Sequence, residues 1–131
     1  MLVQVNGKVV GKQRPRVTRH GTYTPKETKE YEKKIADAWR ELGVAPFEGP
    51  VEVTVFVERK MPDSRPKKLL SEPDIYKPDA DNILKVVQDA LNGVAYLDDK
   101  YVVDAFVKKL PRRRKEEDTL IVRVGEVSYE G

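Results

Sequence analysis

The chain has 131 residues, 36% of them charged, with a net charge of +3, the length of one ordinary domain able to bury a core without covalent staples. It has no cysteine and a single histidine, His20, which excludes disulfides, thiolate metal sites and a cysteine nucleophile and argues against a histidine zinc site or a Ser-His triad. No stretch is apolar enough to span a bilayer and residues 1–8 lack the basic-then-apolar order of a leader, so a cytoplasmic protein is expected, with oxygen ligands for any metal it uses.

In chain order, residues 2–10 alternate apolar and polar around Val3, Val5 and Val9, which predicts a strand with one wet face, Gly7 marking a bulge or bend. Residues 11–21 have no period and read as a basic loop carrying Arg14, Arg16 and Arg19, side chains whose planar donors match phosphate. Thr24 and Pro25 predict the start of a helix, with Thr24 as cap, Pro25 at the first helical position and Glu27 completing a capping box. Tyr31, Ile35, Trp39 and Leu42 recur at helical spacing up to Gly43, so Tyr31 and Trp39 are read as core. Val51, Val53, Val55 and Val57 alternate with Glu52, Thr54, Phe56 and Glu58, the clearest strand pattern in the chain.

Residues 61–76, with three prolines and the pair Lys67-Lys68, read as a long loop. A second helix is predicted over about 81–92, with Ile83, Leu84, Val86, Val87, Ala90 and Leu91 as its apolar face and Gly93 after its end. Strands follow at 101–109 and 119–127, separated by the basic run Arg112-Arg113-Arg114-Lys115. No repeat or linker divides the chain. The order β-α-β-α-β-β predicts one α+β domain over 1–131, a mixed sheet with two helices packed on it.

Positive charge without adjoining acid collects at 12–19, 65–68 and 108–115, while carboxylates gather near the middle. A basic surround with an acidic centre suits a metal-dependent nuclease, because cations gather phosphates and carboxylates hold metal. The candidate DNA contacts are Arg14, Arg16, Arg19, Lys67, Lys68, Arg112, Arg113 and Arg114.

The acidic centre is Asp79-Ala80-Asp81-Asn82-Ile83-Leu84-Lys85, continued by Asp89-Ala90-Leu91-Asn92-Gly93 and Leu97-Asp98-Asp99. Phosphodiester hydrolysis needs charge neutralised on the phosphoryl oxygens and a water made nucleophilic, which a bound divalent ion provides. Mg²⁺ or Mn²⁺ takes a few carboxylates plus water and substrate oxygens. Asp79 and Asp81 can face one side of an extended or cap conformation. The helix then carries the chain about 16 Å away, and the segment after Gly93 can return roughly 20 Å, so Asp98 or Asp99 can rejoin the helix start. Each residue has a plainer use as well. Asp81 can cap the helix, Asp79 can complement its dipole, Asp98-Asp99 can form a turn, and Lys85 can pair with Asp81 one turn back. An EF-hand is excluded, because Leu84 stands where that loop requires glycine and Ala90 where it requires the bidentate glutamate.

Together these motifs, with Gly11-Lys12-Gln13-Arg14-Pro15-Arg16 and Thr22-Tyr23-Thr24-Pro25 before them, resemble the RusA family of Holliday junction resolvases, in particular its phage-type members. The resemblance spans most of the chain. It implies catalytic and metal-binding aspartates at Asp79, Asp81 and Asp99 and a catalytic lysine at Lys85. It further implies Mg²⁺ or Mn²⁺ dependence, a homodimer, and paired incisions in four-way junction DNA during recombination and repair. The competing expectation is a basic, non-catalytic DNA-binding accessory protein whose aspartates only cap a helix.

Overall fold

The alternating valines of the middle strand set the architecture. The computed structural model describes residues 1–13, 16–23 and 25–128; of Arg16, Thr18, Thr22 and Tyr23 it describes the backbone only. A four-stranded sheet holds β1 (Leu2–Asn6), β4 (Val51–Glu58), β6 (Val102–Lys109) and β8 (Thr119–Glu126) in the spatial order β1-β8-β4-β6. The β4–β6 pair is parallel and the others antiparallel, so the sheet is mixed. Val51, Val53, Val55 and Val57 are 0–1% exposed, and the β4–β8 register sets Val53, Val55 and Val57 opposite Val124, Val122 and Leu120.

Helices α1 (Lys26–Arg40) and α2 (Ala80–Leu91) cover this valine face. They bring Tyr31, Ile35 and Trp39 from one side and Ile83, Val86, Val87, Ala90 and Leu91 from the other into a single core. Each fully buried aliphatic or aromatic side chain contributes about 1.5–3 kcal/mol. Tyr31 and Trp39 are 4% and 1% exposed, as their helical spacing requires. The main-sheet strands and the two helices follow one another as β-α-β-α-β-β, an α+β fold.

Short elements occupy the expected loops. A hairpin of β2 (Arg16–Thr18) and β3 (Gly21–Tyr23) lies within the basic segment, its three-residue strands too short to show a period. Strand β5 (Ser71–Glu72) pairs with β7 (Arg112–Arg113) and ties the proline-rich segment to the basic run. Strand β1 stops at Asn6 because Gly7 adopts φ 112°, yet Val9 and Val10 stay buried beyond it. Helix α1 begins at Lys26 with Pro25 in the cap position and no side-chain capping bond, so the proline stands one residue earlier than expected; Thr24 lies outside the described residues. Val103 and Ala105 of β6 are exposed rather than core-facing, because β6 is an edge strand. Among the described residues no helix is long and apolar enough to cross a membrane.

Candidate active site

Helix α2 presents the first two carboxylates. Asp79 has extended backbone angles (φ −68°, ψ 155°) in the N-cap position, and its carbonyl accepts the Ile83 N–H at 3.1 Å, which starts the helix. Its carboxylate makes no capping bond. Asp81 lies in the first turn and so is not the cap its sequence position allowed. Neither carboxylate has a hydrogen-bond or ion-pair partner among the described residues. Cap residues normally spend the side-chain oxygen on the exposed N–H groups, so Asp79 withholds the interaction that would explain it as a purely structural residue. Both aspartates line a groove of about 660 Å³, with residues 8–13 as the facing wall.

That wall is pressed against the helix start. The Lys12 N–H donates to the Asn82 carbonyl at 2.9 Å. At Gly11 a Cβ would stand 2.6 Å from Pro78 Cβ and 3.2 Å from Asn82 Cβ, so glycine is required for the approach rather than for its conformational freedom. Lys12 was grouped in the sequence with unpaired positive charge, and the structure corrects this. Its ammonium bridges Glu32 at 2.8 Å and Asp89 at 3.0 Å. Burial works against the charged form, and the two carboxylates more than offset it, leaving the lysine above its ordinary pKa.

Asp81, Lys85 and Asp89 follow at i, i+4 and i+8 on one side of α2. Lys85 joins no ion pair among the described residues, so the plainer Asp81–Lys85 helix pair is not formed. Asp98 caps a 3₁₀ turn (Asp99–Tyr101) by accepting the Lys100 N–H at 3.0 Å. The Asp99 carboxylate accepts no backbone N–H among the described residues and lies in the field of Asp89 and Lys85 on α2. Partial burial raises its pKa above the ordinary value, and the charges of Asp89 and Asp98 raise it further; the Tyr96 hydroxyl and Lys85 pull the other way. Tyr96 itself is fully buried and donates to the Gln88 carbonyl at 2.8 Å, anchoring the return from α2.

Among the described residues no three acid or imidazole side chains stand close enough to form a metal cage by themselves. The structure brings Asp79 and Asp81 to one groove, while Asp99 lies outside its lining, in the field of Asp89 and Lys85. The donor set nevertheless fits Mg²⁺ or Mn²⁺, hard ions that are held by one or two carboxylates and completed by water and phosphate oxygens.

The basic residues divide. Arg19, Lys67, Lys68 and Arg113 are exposed. Arg14 lies outside the described residues, as does the Arg16 side chain. Arg112 is 4% exposed, bonded to Glu72 and stacked 4.0 Å from the Tyr76 ring, so its guanidinium serves the fold rather than a surface. Arg114 donates to the carbonyls of Pro62, Arg65, Pro66 and Leu69, at 2.8–3.3 Å, and folds the proline-rich segment over itself. Lys77, two residues before Asp79 and assigned no role from the sequence, also lines the groove.

A buried ionic cluster beneath the groove was also invisible to sequence patterning. Asp118 accepts the N–H groups of Val9 at 3.0 Å and Lys60 at 2.8 Å. Arg59 stands 4.0 Å from Asp118 and 3.4 Å from Asp74, and Lys109 meets the same Asp74 oxygen at 3.4 Å. The Asp74 side chain is fully buried. These residues are scattered over four segments, so no local motif announces them.

A sequence profile of the family described as "Endodeoxyribonuclease RusA" matches residues 6–124. The chain is also similar to the uncharacterized protein YqaN of Bacillus subtilis (strain 168). The two are 42% identical over 88 residues, a match spanning 61% of this chain and 60% of that protein's length.

Proposed function

The chain belongs to the RusA endodeoxyribonuclease family, and from that premise we propose that it is a metal-dependent, structure-selective endonuclease that resolves four-way DNA junctions by paired cuts as a homodimer. The observation that carries this reading is the pair Asp79 and Asp81, two carboxylates in one groove without partners among the described residues, with Lys85, likewise unpaired among them, one helical turn on. Asp79 and Asp81 would hold Mg²⁺ or Mn²⁺ directly; Asp99, which stands apart from them, would complete the carboxylate set implied by the family through intervening water. A bound divalent ion supplies charge neutralisation at the phosphate and an activated water.

The chain's own residues do the rest. The N-terminus of α2 favours a phosphate beside Asp79. Lys85 projects back toward that end of the helix, where its ammonium stabilises charge developing on the phosphoryl oxygens. Lys77, Arg19, Lys67, Lys68 and Arg113 are among the exposed cations available to duplex arms, and Arg14 and Arg16 are further contacts offered by the sequence. A two-fold dimer would present two identical sites to a two-fold junction.

The decisive experiment is cleavage of a synthetic four-way junction with Mg²⁺, with Mn²⁺ and with chelator. Metal-dependent paired incision is expected. Asp79→Asn, Asp81→Asn and Asp99→Asn should each abolish cleavage while keeping junction binding as tight or tighter, since each removes repulsion toward phosphate. Tight junction binding with no cleavage under either metal would return the chain to an accessory DNA-binding role.

A further inference from the structure

The segment 74–78 delivers Asp79 to the groove, and apart from α2 behind it no regular secondary structure holds it. Its backbone is held by side chains instead. Arg59 Nη1 donates to the Lys77 carbonyl at 2.6 Å and reaches the Tyr76 carbonyl at 3.4 Å. Lys109 Nζ donates to the Pro78 carbonyl at 3.0 Å and to the Tyr76 carbonyl. Three consecutive carbonyls immediately before Asp79 are therefore gripped by two cations from neighbouring parallel strands, Lys109 at the end of β6 and Arg59 just past β4. Both cations are fixed by one oxygen of the buried Asp74 carboxylate.

The opposite wall is tied to the same cluster. Asp118, next to Arg59, accepts the Val9 N–H two residues before Gly11. Buried ion networks seldom stabilise a fold beyond what apolar residues of similar volume would. This one bonds selectively to the backbone on either side of the groove.

We infer that Arg59 and Lys109, ordered by Asp74, are positioning residues that set the backbone at 76–78 and so aim the Asp79 carboxylate. They touch neither DNA nor metal. The inference rests on the metal-binding reading of the groove for its consequence, though not for the clamp itself.

The test uses Lys109→Met, which keeps the apolar stem, Arg59→Lys, which keeps the charge near Asp74 and shortens the reach to Lys77, and the charge-balanced double variant Asp74→Asn/Lys109→Met. Two quantities are measured on the full chain, besides a thermal melt and the junction dissociation constant in chelator. The first is amide hydrogen exchange at Tyr76 and Ile83, whose N–H groups bond the Asp74 carboxylate and the Asp79 carbonyl and so read the clamp without metal. The second is Mn²⁺ affinity by electron paramagnetic resonance. In Lys109→Met and in the double variant, exchange at these amides should rise at least about tenfold. Mn²⁺ affinity should fall about tenfold or more, the usual cost of losing support behind metal ligands. Junction affinity should stay within about twofold.

Exchange unchanged in the folded double variant overturns the clamp. Raised exchange with unchanged Mn²⁺ affinity overturns its role in aiming Asp79. A wild-type chain that binds no Mn²⁺ overturns the metal reading and the aiming role, and leaves the exchange data to decide the clamp. Should Lys109→Met fail to fold, the double variant and Arg59→Lys carry the same measurements.

Discussion

At the scale of single residues, what separates a working carboxylate from a structural one is whether its oxygens are already engaged. Asp98 and Asp99 are neighbours, and a pattern of two aspartates after a helix cannot rank them. The fold tells them apart, because the Asp98 carboxylate accepts a backbone N–H while Asp99 sits between Asp89, Asp98, the Tyr96 hydroxyl and Lys85. The raised pKa of Asp99 has a definite consequence for stability. The folded state holds this proton up to a higher pH than the unfolded chain does, so between the two pKa values stability falls as pH rises, and above both a constant penalty remains. Because the residue is exposed, the effect is screened to a few tenths of a kcal/mol. Metal-free Asp99→Asn should therefore melt about one to two degrees above wild type at pH 7 and level with it near pH 3, measured by calorimetry in chelator. A variant melting below wild type at pH 7 would show that the carboxylate stabilises the fold. Lys85 is the complementary case. With no ion pair to lose among the described residues, Lys85→Ala should leave folding and junction binding unchanged and slow single-turnover cleavage at least about a hundredfold, or roughly 2.7 kcal/mol of transition-state stabilisation. Cleavage near the wild-type rate would return Lys85 to the helix surface. Lys85→Arg should rescue in part only, since a planar fork does not reproduce a compact ammonium.

At the scale of elements, the groove exists because the 8–13 segment leans on the start of α2 through Gly11. Gly11→Ala forces its new methyl group against Pro78 Cβ, a ring atom that cannot swing aside. Overpacking of this kind costs about 1–3 kcal/mol, so the melting temperature should drop several degrees and cleavage should fall with it. Gly49→Ala, where nothing lies within 4 Å of the added carbon, is the matched control and should do neither. If both variants behaved alike, the close approach at Gly11 would be irrelevant to the site. Local pattern was informative wherever one period ran long enough. Val51 to Val57 gave β4, and Ile83 to Leu91 gave α2 and its buried face. It failed where the deciding contact was distant. Arg112 sits in a run of four basic residues and reads as a DNA contact, yet the pairing of β7 with β5 turns it into Glu72 and the Tyr76 ring. Asp74, Arg59, Lys109 and Asp118 have no common spacing because their meeting is made by the parallel β4–β6 pair and the long return to β8. The motif from Asp79 to Lys85 was legible because a helix start compresses it into one local element, whereas the place of Asp99 depends on the turn that follows α2.

At the scale of the whole molecule, the proposed paired incision requires one small chain to make two cuts. A net charge of +3 is modest for a DNA-binding protein, and several of its cations are consumed inside the fold. Lys12, Arg59, Lys109 and Arg112 all face buried or half-buried carboxylates. Each phosphate contact contributes about 0.9 to the slope of log affinity against log salt, so two subunits on one junction double the contacts that one subunit can supply. Symmetry adds the second requirement. A two-fold dimer repeats every patch on both subunits, so its two grooves meet strands of like polarity in a two-fold junction. Mixed dimers expose this arrangement directly. Wild-type and Asp81→Asn subunits, carrying different affinity tags, are co-expressed, and the heterodimer is purified and given a supercoiled plasmid with an extruded cruciform. One cut gives a nicked circle, and two opposed cuts within the lifetime of one complex give a linear molecule. Wild-type dimers should yield linear product and heterodimers nicked circles, at roughly half the wild-type initial rate of incision because one of two sites remains. The nicked circle loses its supercoiling and with it the cruciform, so a second protein cannot finish the reaction later. Linear product from the heterodimer would mean that one active site makes both cuts, and a chain that sediments as a monomer on the junction would remove the two-fold account of paired incision.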